Sequence, residues 1–177
     1  MLKIGEIEEL VRDVPDFPKK GVMFKDITTV LVKAGALGDT VGHMQSALSD
    51  VEYDAVAAIE SRGFIFGAVL ADREDLPLVL IRKPGKLPAD TISEDYELEY
   101  GSNTVEMHRG SLPEGSRVLL VDDLVATGGS MTAAASLVRR DGCSVAAAVS
   151  LINLEFLGGG RRIGDSDVEY RYLINVE

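Results

Sequence analysis

Apolar residues at positions 4, 7, 10, 11 and 14 recur at helical spacing and predict a helix from Ile4 to Val14. Pro15 and Pro18 end it, so the stretch from Pro15 to Gly21 reads as a loop. A second helix is predicted from Leu37 to Leu48, with Gly42 as its weak point. The unbroken apolar run Ala55 to Ile59 reads as a buried strand. Glu60-Ser61-Arg62-Gly63 then turns the chain into a helix from Phe64 to Ala71, and Leu78 to Ile81 forms the next strand. From Arg82 to Gly101 the chain is rich in charge, proline and glycine and reads as a long irregular segment with room for a hairpin. Such long loops inside compact domains often carry function. Val118 to Val121 is the clearest strand. Thr127-Gly128-Gly129 leads into a helix from about Ser130 to Arg140, with Gly142 just past its end. Val145 to Ile152 is another strand.

Strand, turn and helix thus alternate at least three times. Continuous apolar strands between helices imply an α/β fold whose central, mostly parallel sheet is covered on both faces. Neither a repeat nor a linker divides the chain, so one domain is expected over residues 1–177. Ligands of such folds bind beyond the carboxyl ends of the strands. Those ends are expected at Ile59, Ile81 and Val121. They are followed by Glu60-Ser61-Arg62-Gly63, by Arg82-Lys83-Pro84-Gly85-Lys86 and by Asp122-Asp123, so charge gathers along one edge of the sheet.

Composition narrows the function. The formal net charge of −11 opposes binding to nucleic acid. No apolar run approaches the roughly 20 residues that span a bilayer. The first six residues lack the apolar core of a signal peptide, and the single cysteine, Cys143, forbids an intrachain disulfide. The expected compartment is the cytoplasm, with no membrane partner. Cys143 is expected in the core at a strand start, and His43 and His108 are isolated from other ligand-type residues. No zinc or iron–sulfur spacing is present, and no dedicated metal site is expected.

The segment from Val118 to Ser130 carries the most chemistry. A buried strand runs into two adjacent carboxylates, Asp122 and Asp123. A loop of small residues, Ala126-Thr127-Gly128-Gly129, then opens a helix at Ser130. Backbone N–H groups in such a loop converge on one concavity, where the helix dipole favours an anion. Thr127 and Ser130 add hydroxyl donors. The loop suits a monophosphate, and the carboxylates suit something bearing hydroxyls, such as a ribose. Arg82, Lys83 and Lys86 place three cations within five residues and read as an anion clamp.

This segment resembles the 5-phosphoribosyl-1-pyrophosphate (PRPP) signature of the type I phosphoribosyltransferases. Four further segments are similar to the adenine branch of that family: Pro15-Asp16-Phe17-Pro18 with Gly21 to Thr28, Glu60 to Phe64, Ile81 to Pro88, and Tyr96 to Gly101. Ser130 stands where the family more often has Thr, and Lys25 where many relatives have Arg.

The resemblance implies a small N-terminal hood at about residues 15–30 and a flexible catalytic loop. It implies transfer of the phosphoribosyl group of PRPP to adenine, giving AMP and pyrophosphate. Phe24 would stack on the adenine, backbone groups of Met23 and Lys25 would read its edge, and Leu124 and Tyr100 would complete its pocket. Glu99 would handle the purine proton beside a catalytic Arg62. Glu60, Ser61 and Arg62 form the family's pyrophosphate loop, often with a non-proline cis peptide, and Arg82, Lys83 and Lys86 would reach the same group. Mg²⁺ would be bound mainly through PRPP, pyrophosphate and water, and relatives are usually homodimers. Two rivals share the PRPP site: a hypoxanthine or guanine enzyme, and a non-catalytic PRPP-sensing regulator.

Overall fold

The computed structural model describes residues 1–97 and 101–177. Five parallel strands make the central sheet. They are β3 (Ala55–Ile59), β4 (Leu78–Ile81), β7 (Arg117–Val125), β8 (Ser144–Leu154) and β9 (Tyr170–Val176), in the spatial order β4-β3-β7-β8-β9. Alternate residues of the strands feed two cores. Ala57, Val118 and Leu120 join α5 (Gly129–Arg140) and α6 (Gly159–Gly164) on one face. Val56, Leu119 and Val121 meet α1 (Ile4–Leu10), α2 (Thr28–Val32), α3 (Ala36–Ala47) and α4 (Gly63–Glu74) on the other. The covered-sheet expectation holds for the physical reason that suggested it: strands apolar on both sides need two layers of helix.

Two antiparallel ribbons flank this sheet. β1 (Arg12–Pro15) pairs with β2 (Met23–Asp26) in a register that sets Val14 opposite Phe24. β5 (Thr91–Glu97) pairs with β6 (Ser102–His108), and mutual backbone bonds between Arg82 and Glu106 (2.8 and 2.7 Å) tie that hairpin to the sheet's β4 edge.

Three expectations are corrected. The first helix stops at Leu10, because Val11 turns extended and Arg12 to Pro15 pair with β2, an arrangement helped by the Arg12–Asp26 ion pair at 2.5 Å. The stretch from Arg82 to Gly101 is less irregular than expected: the hairpin it had room for is present, with β5 as its first strand. The strand expected to end at Val121 runs on to Val125, so Asp122 and Asp123 lie within it. Pairing with β3 ceases at Val121, whereas pairing with β8 continues to Val125 opposite Asn153. The two aspartates therefore stand where β7 has lost one neighbour and kept the other.

The chain leaves β3 toward β4 and later enters β7 on the opposite side of β3. The crevice between the carboxyl ends of β3 and β7 is thus a topological switch point, where open α/β sheets bind ligands.

Candidate functional site

Both sides of that crevice are built from the segments singled out in the sequence. On the β7 side, Ala126, Thr127 and Gly128 bend the chain into α5. Gly128 caps this helix with φ 76°, a left-handed conformation that glycine adopts at little cost. The first bond to the cap runs from Thr132 N–H to Gly128 C=O at 3.0 Å. Helix geometry leaves the preceding N–H groups directed out of the N-terminus. With Thr127 and Ser130 half-buried beside them, they form a concavity suited to a phosphate.

Backbone-to-backbone contact holds this loop. A Cβ on Gly128 would fall 2.7 Å from the carbonyl oxygen of Gly159, and one on Gly159 would collide with the carbonyl of Ala126. A Cβ on Gly129 would fall 2.7 Å from the Tyr96 ring. Gly159 and the Tyr96 ring are therefore part of the cradle's support. Sequence reading missed Gly159, although the run Gly158-Gly159-Gly160 signals a place where backbone must come close.

Asp122 and Asp123 are buried, and Asp122 Oδ1 accepts the Asp123 N–H at 2.8 Å. Burial, followed by the adjacent charge of Asp123, pushes the Asp122 carboxyl well above the usual carboxylate range. Asp123 faces Arg62, whose Nε donates to it at 2.6 Å. Gly63 lets the start of α4 approach, since a Cβ there would lie 3.0 Å from Asp122 Oδ1.

Arg62 also reaches the β1–β2 hairpin. Its guanidinium carbon lies 5.4 Å from the centre of the Phe24 ring, within cation–π range. Phe24, Phe17, Val14, Asp26, Thr28 and Arg62 line an open cleft of about 410 Å³. Phe17 meets Phe24 edge-on at 5.0 Å between ring centres. The Asp26 carboxyl is lowered to about 2 by hydrogen bonds from Thr28 and Arg12. Strand alternation separates Phe24 from its neighbours. Lys25 turns its ammonium to Asp13 at 2.6 Å, and Met23 is half exposed. Any reading of a ligand edge by Met23 and Lys25 thus falls to their backbone. Leu124 is half-buried and packs on one side against the core that holds Val56, Leu119 and Val121.

On the β3–β4 side, the Glu60–Ser61 peptide is cis. The buried Glu60 carboxylate gathers the neighbouring cations: Lys86 Nζ, Arg82 Nε at 3.3 Å and the Lys83 backbone N–H at 3.0 Å. Burial works against ionisation of Glu60, but these donors outweigh it and hold its pKa below the usual glutamate range. Arg82 stands 5.8 Å from the Phe64 ring centre. Ser61 is exposed beside this group. The expected Glu99 and Tyr100 lie outside the described residues. Cys143 is buried just before β8, donating toward Pro113 O, and His43 contacts Leu2 O at 2.7 Å, both as structural groups. No cluster of three or more His, Cys, Asp or Glu side chains suited to a metal ion occurs among the described residues, and none of their helices is long and apolar enough to cross a membrane.

The crevice thus sets a glycine-rich helix N-terminus on one wall, two carboxyl groups at its floor and clustered cations on the other wall. The family model described as "Phosphoribosyl transferase domain" matches residues 33–173. Adenine phosphoribosyltransferase from a Thermoanaerobacter species is 46% identical over 94% of this chain and 96% of its own length. The crystal structure of adenine phosphoribosyltransferase from Thermoanaerobacter pseudethanolicus is 45% identical, with a TM-score of 0.94 over 98% of this chain and 99% of that one. The enzyme from Giardia lamblia, solved with 9-deazaadenine, is 31% identical, with a TM-score of 0.93 over 100% of this chain and 99% of that one. The chain belongs to the adenine phosphoribosyltransferases, enzymes of purine salvage that convert adenine and PRPP to AMP.

Proposed function

We propose that the crevice between β3 and β7 holds PRPP and that the cleft under Phe24 holds adenine. The observation that carries this reading is Arg62, which touches Asp123 and Phe24 at once and so joins a sugar-binding floor to an aromatic base cleft. The 5-phosphate would sit in the cradle formed by Ala126, Thr127, Gly128, Gly129 and Ser130. Asp122 and Asp123 would accept hydrogen bonds from the ribose hydroxyls. The negative charge shared by this acidic pair also favours positive charge developing on the sugar ring as pyrophosphate departs.

Pyrophosphate would lie against Ser61, Arg62, Arg82, Lys83 and Lys86. Glu60 is itself an anion, so it would act there only through the cations it contacts. The ring nitrogen of adenine attacks the anomeric carbon, and the bond to pyrophosphate breaks. Glu99 is the group proposed to manage the purine proton, and Tyr100 and Leu124 would border the base. The acidic pair fits Mg²⁺ only through water or sugar hydroxyls, the coordination this ion commonly keeps in phosphate sites. When bound with PRPP, Mg²⁺ would neutralise the leaving pyrophosphate. A cytoplasmic homodimer is the assembly that accompanies this reading, and sedimentation velocity tests the dimer.

Incubation with PRPP, Mg²⁺ and one purine at a time tests the reaction. Adenine should give AMP and pyrophosphate with a higher kcat/KM than hypoxanthine or guanine. A kcat/KM for either rival equal to or above that for adenine would overturn the specificity. Failure of every purine to release pyrophosphate would point to the sensing regulator.

A further inference from the structure

We propose that Glu60 acts as an internal substitute for pyrophosphate, occupying Arg82 and Lys86 when the site is empty and competing with the product for them. The inference rests on the reading of this cluster as the pyrophosphate site and adds a role for the Glu60 carboxylate.

The geometry motivates it. Glu60 follows the end of β3, and its side chain is 8% exposed, while those of Arg82 and Lys86 are 29% and 46% exposed. One oxygen takes Lys86 Nζ, and the other takes Arg82 Nε and the Lys83 N–H. Both oxygens are thus engaged by donors that an incoming diphosphate would need. Arg82 is also fixed from behind by its backbone bonds to Glu106 and is oriented by a Lys86 carbonyl, which accepts Arg82 Nη1–H at 3.1 Å. Arg82 is therefore held at the crevice by contacts other than Glu60, whereas the Lys86 ammonium is held there by Glu60.

Two effects of Glu60 oppose each other. A carboxylate beside cations orders them, which favours binding of a second anion. It also neutralises them and repels that anion directly. The backbone anchoring of Arg82 weakens the first effect and leaves the second dominant. A site of several uncompensated cations would retain pyrophosphate strongly and slow its release. With Glu60 present, departing pyrophosphate exchanges its hydrogen bonds for those of a group already in place, so the cations are never left without an acceptor.

The test is calorimetric titration of Mg²⁺ and inorganic pyrophosphate into the wild type and Glu60→Gln, with pyrophosphate inhibition of AMP formation measured alongside. Glutamine keeps an acceptor for the Lys83 N–H but removes the charge. The proposal expects pyrophosphate to bind about three- to fivefold more tightly to the variant, the scale of one partly exposed charge contact. Product inhibition should strengthen and kcat should fall. Unchanged or weaker pyrophosphate binding by Glu60→Gln overturns the competitor role and leaves Glu60 as a brace. Glu60→Asp, which retracts the charge by one methylene, should shift affinity the same way by a smaller factor and serves if Gln fails to fold. A double variant, Arg82→Gln with Lys86→Gln, that keeps wild-type pyrophosphate affinity would overturn the site assignment and the inference with it.

Discussion

The two walls of the crevice grip anions in different ways. The β7 wall uses backbone: its loop rests on Gly159, and its glycines pass within distances that no side chain permits. The β3–β4 wall uses side chains: Arg62, Arg82 and Lys86 are each already paired with Asp123 or Glu60. A backbone cradle is fixed in shape and carries no titratable group. A side-chain cluster can exchange partners, and its strength depends on charge balance and salt. The half of the substrate that stays bound through reaction, the ribose 5-phosphate, is assigned to the fixed wall. The half that must leave is assigned to the exchangeable one.

The largest expected effect comes from a residue assigned to neither wall. Glu99→Gln should lower kcat by roughly 10²- to 10⁴-fold, the usual scale for a positioned acid–base group. PRPP affinity, measured by calorimetry, should stay near wild type. Near-normal turnover would remove Glu99 from the mechanism. Next, Asp123→Asn should weaken both PRPP use and turnover, because Asp123 serves the sugar and also positions Arg62. If only KM for adenine moved, the assignment of the carboxylate to ribose would fail.

A smaller effect is expected at the base cleft. Phe24→Ala should raise KM for adenine about tenfold, as the loss of an aromatic stacking platform of roughly 1–2 kcal/mol implies. KM for PRPP should change less, and an equal rise in both constants would argue that Phe24 serves the fold of the hairpin instead.

The smallest concerns the surface. Acidic residues number 29 against 18 basic ones, which comprise 7 Lys and 11 Arg. Excess like charge destabilises the compact state, and molar salt shortens the screening length to about 3 Å. The melting temperature should therefore rise between low salt and molar KCl while activity survives. A flat or falling curve would leave the acidic balance as a solubility feature.

Much of this arrangement was legible in the sequence because its strands are apolar on both sides. Ala55–Ile59 and Leu78–Ile81 could be placed to the residue, since runs bounded by charge have sharp ends. Asp122 and Asp123 were located correctly beside the crevice but outside their strand. Burying two carboxylates mid-strand goes against pattern, and only pairing to β8 reveals it. The Arg12–Pro15 strand hid because Val11 and Val14 also satisfy a helical period. β9 went unread, and with it the last strand of the sheet. Gly159 was out of reach for a different reason. A glycine run announces a close approach, but its partner, the loop at 126–128, is some thirty residues away and becomes its neighbour only through folding.

The division between the two walls is tested most directly by one variant and two ligands. Gly159→Ala places a methyl against the Ala126 carbonyl and so distorts the fixed wall alone. Titrated separately, ribose 5-phosphate should bind this variant about 5- to 150-fold more weakly than wild type, because a methyl collision with backbone costs on the order of 1–3 kcal/mol. Pyrophosphate with Mg²⁺ should stay within about twofold, since its wall is not touched and well-separated sites act nearly independently. Loss of both affinities together, or retention of ribose 5-phosphate binding, would contradict the account.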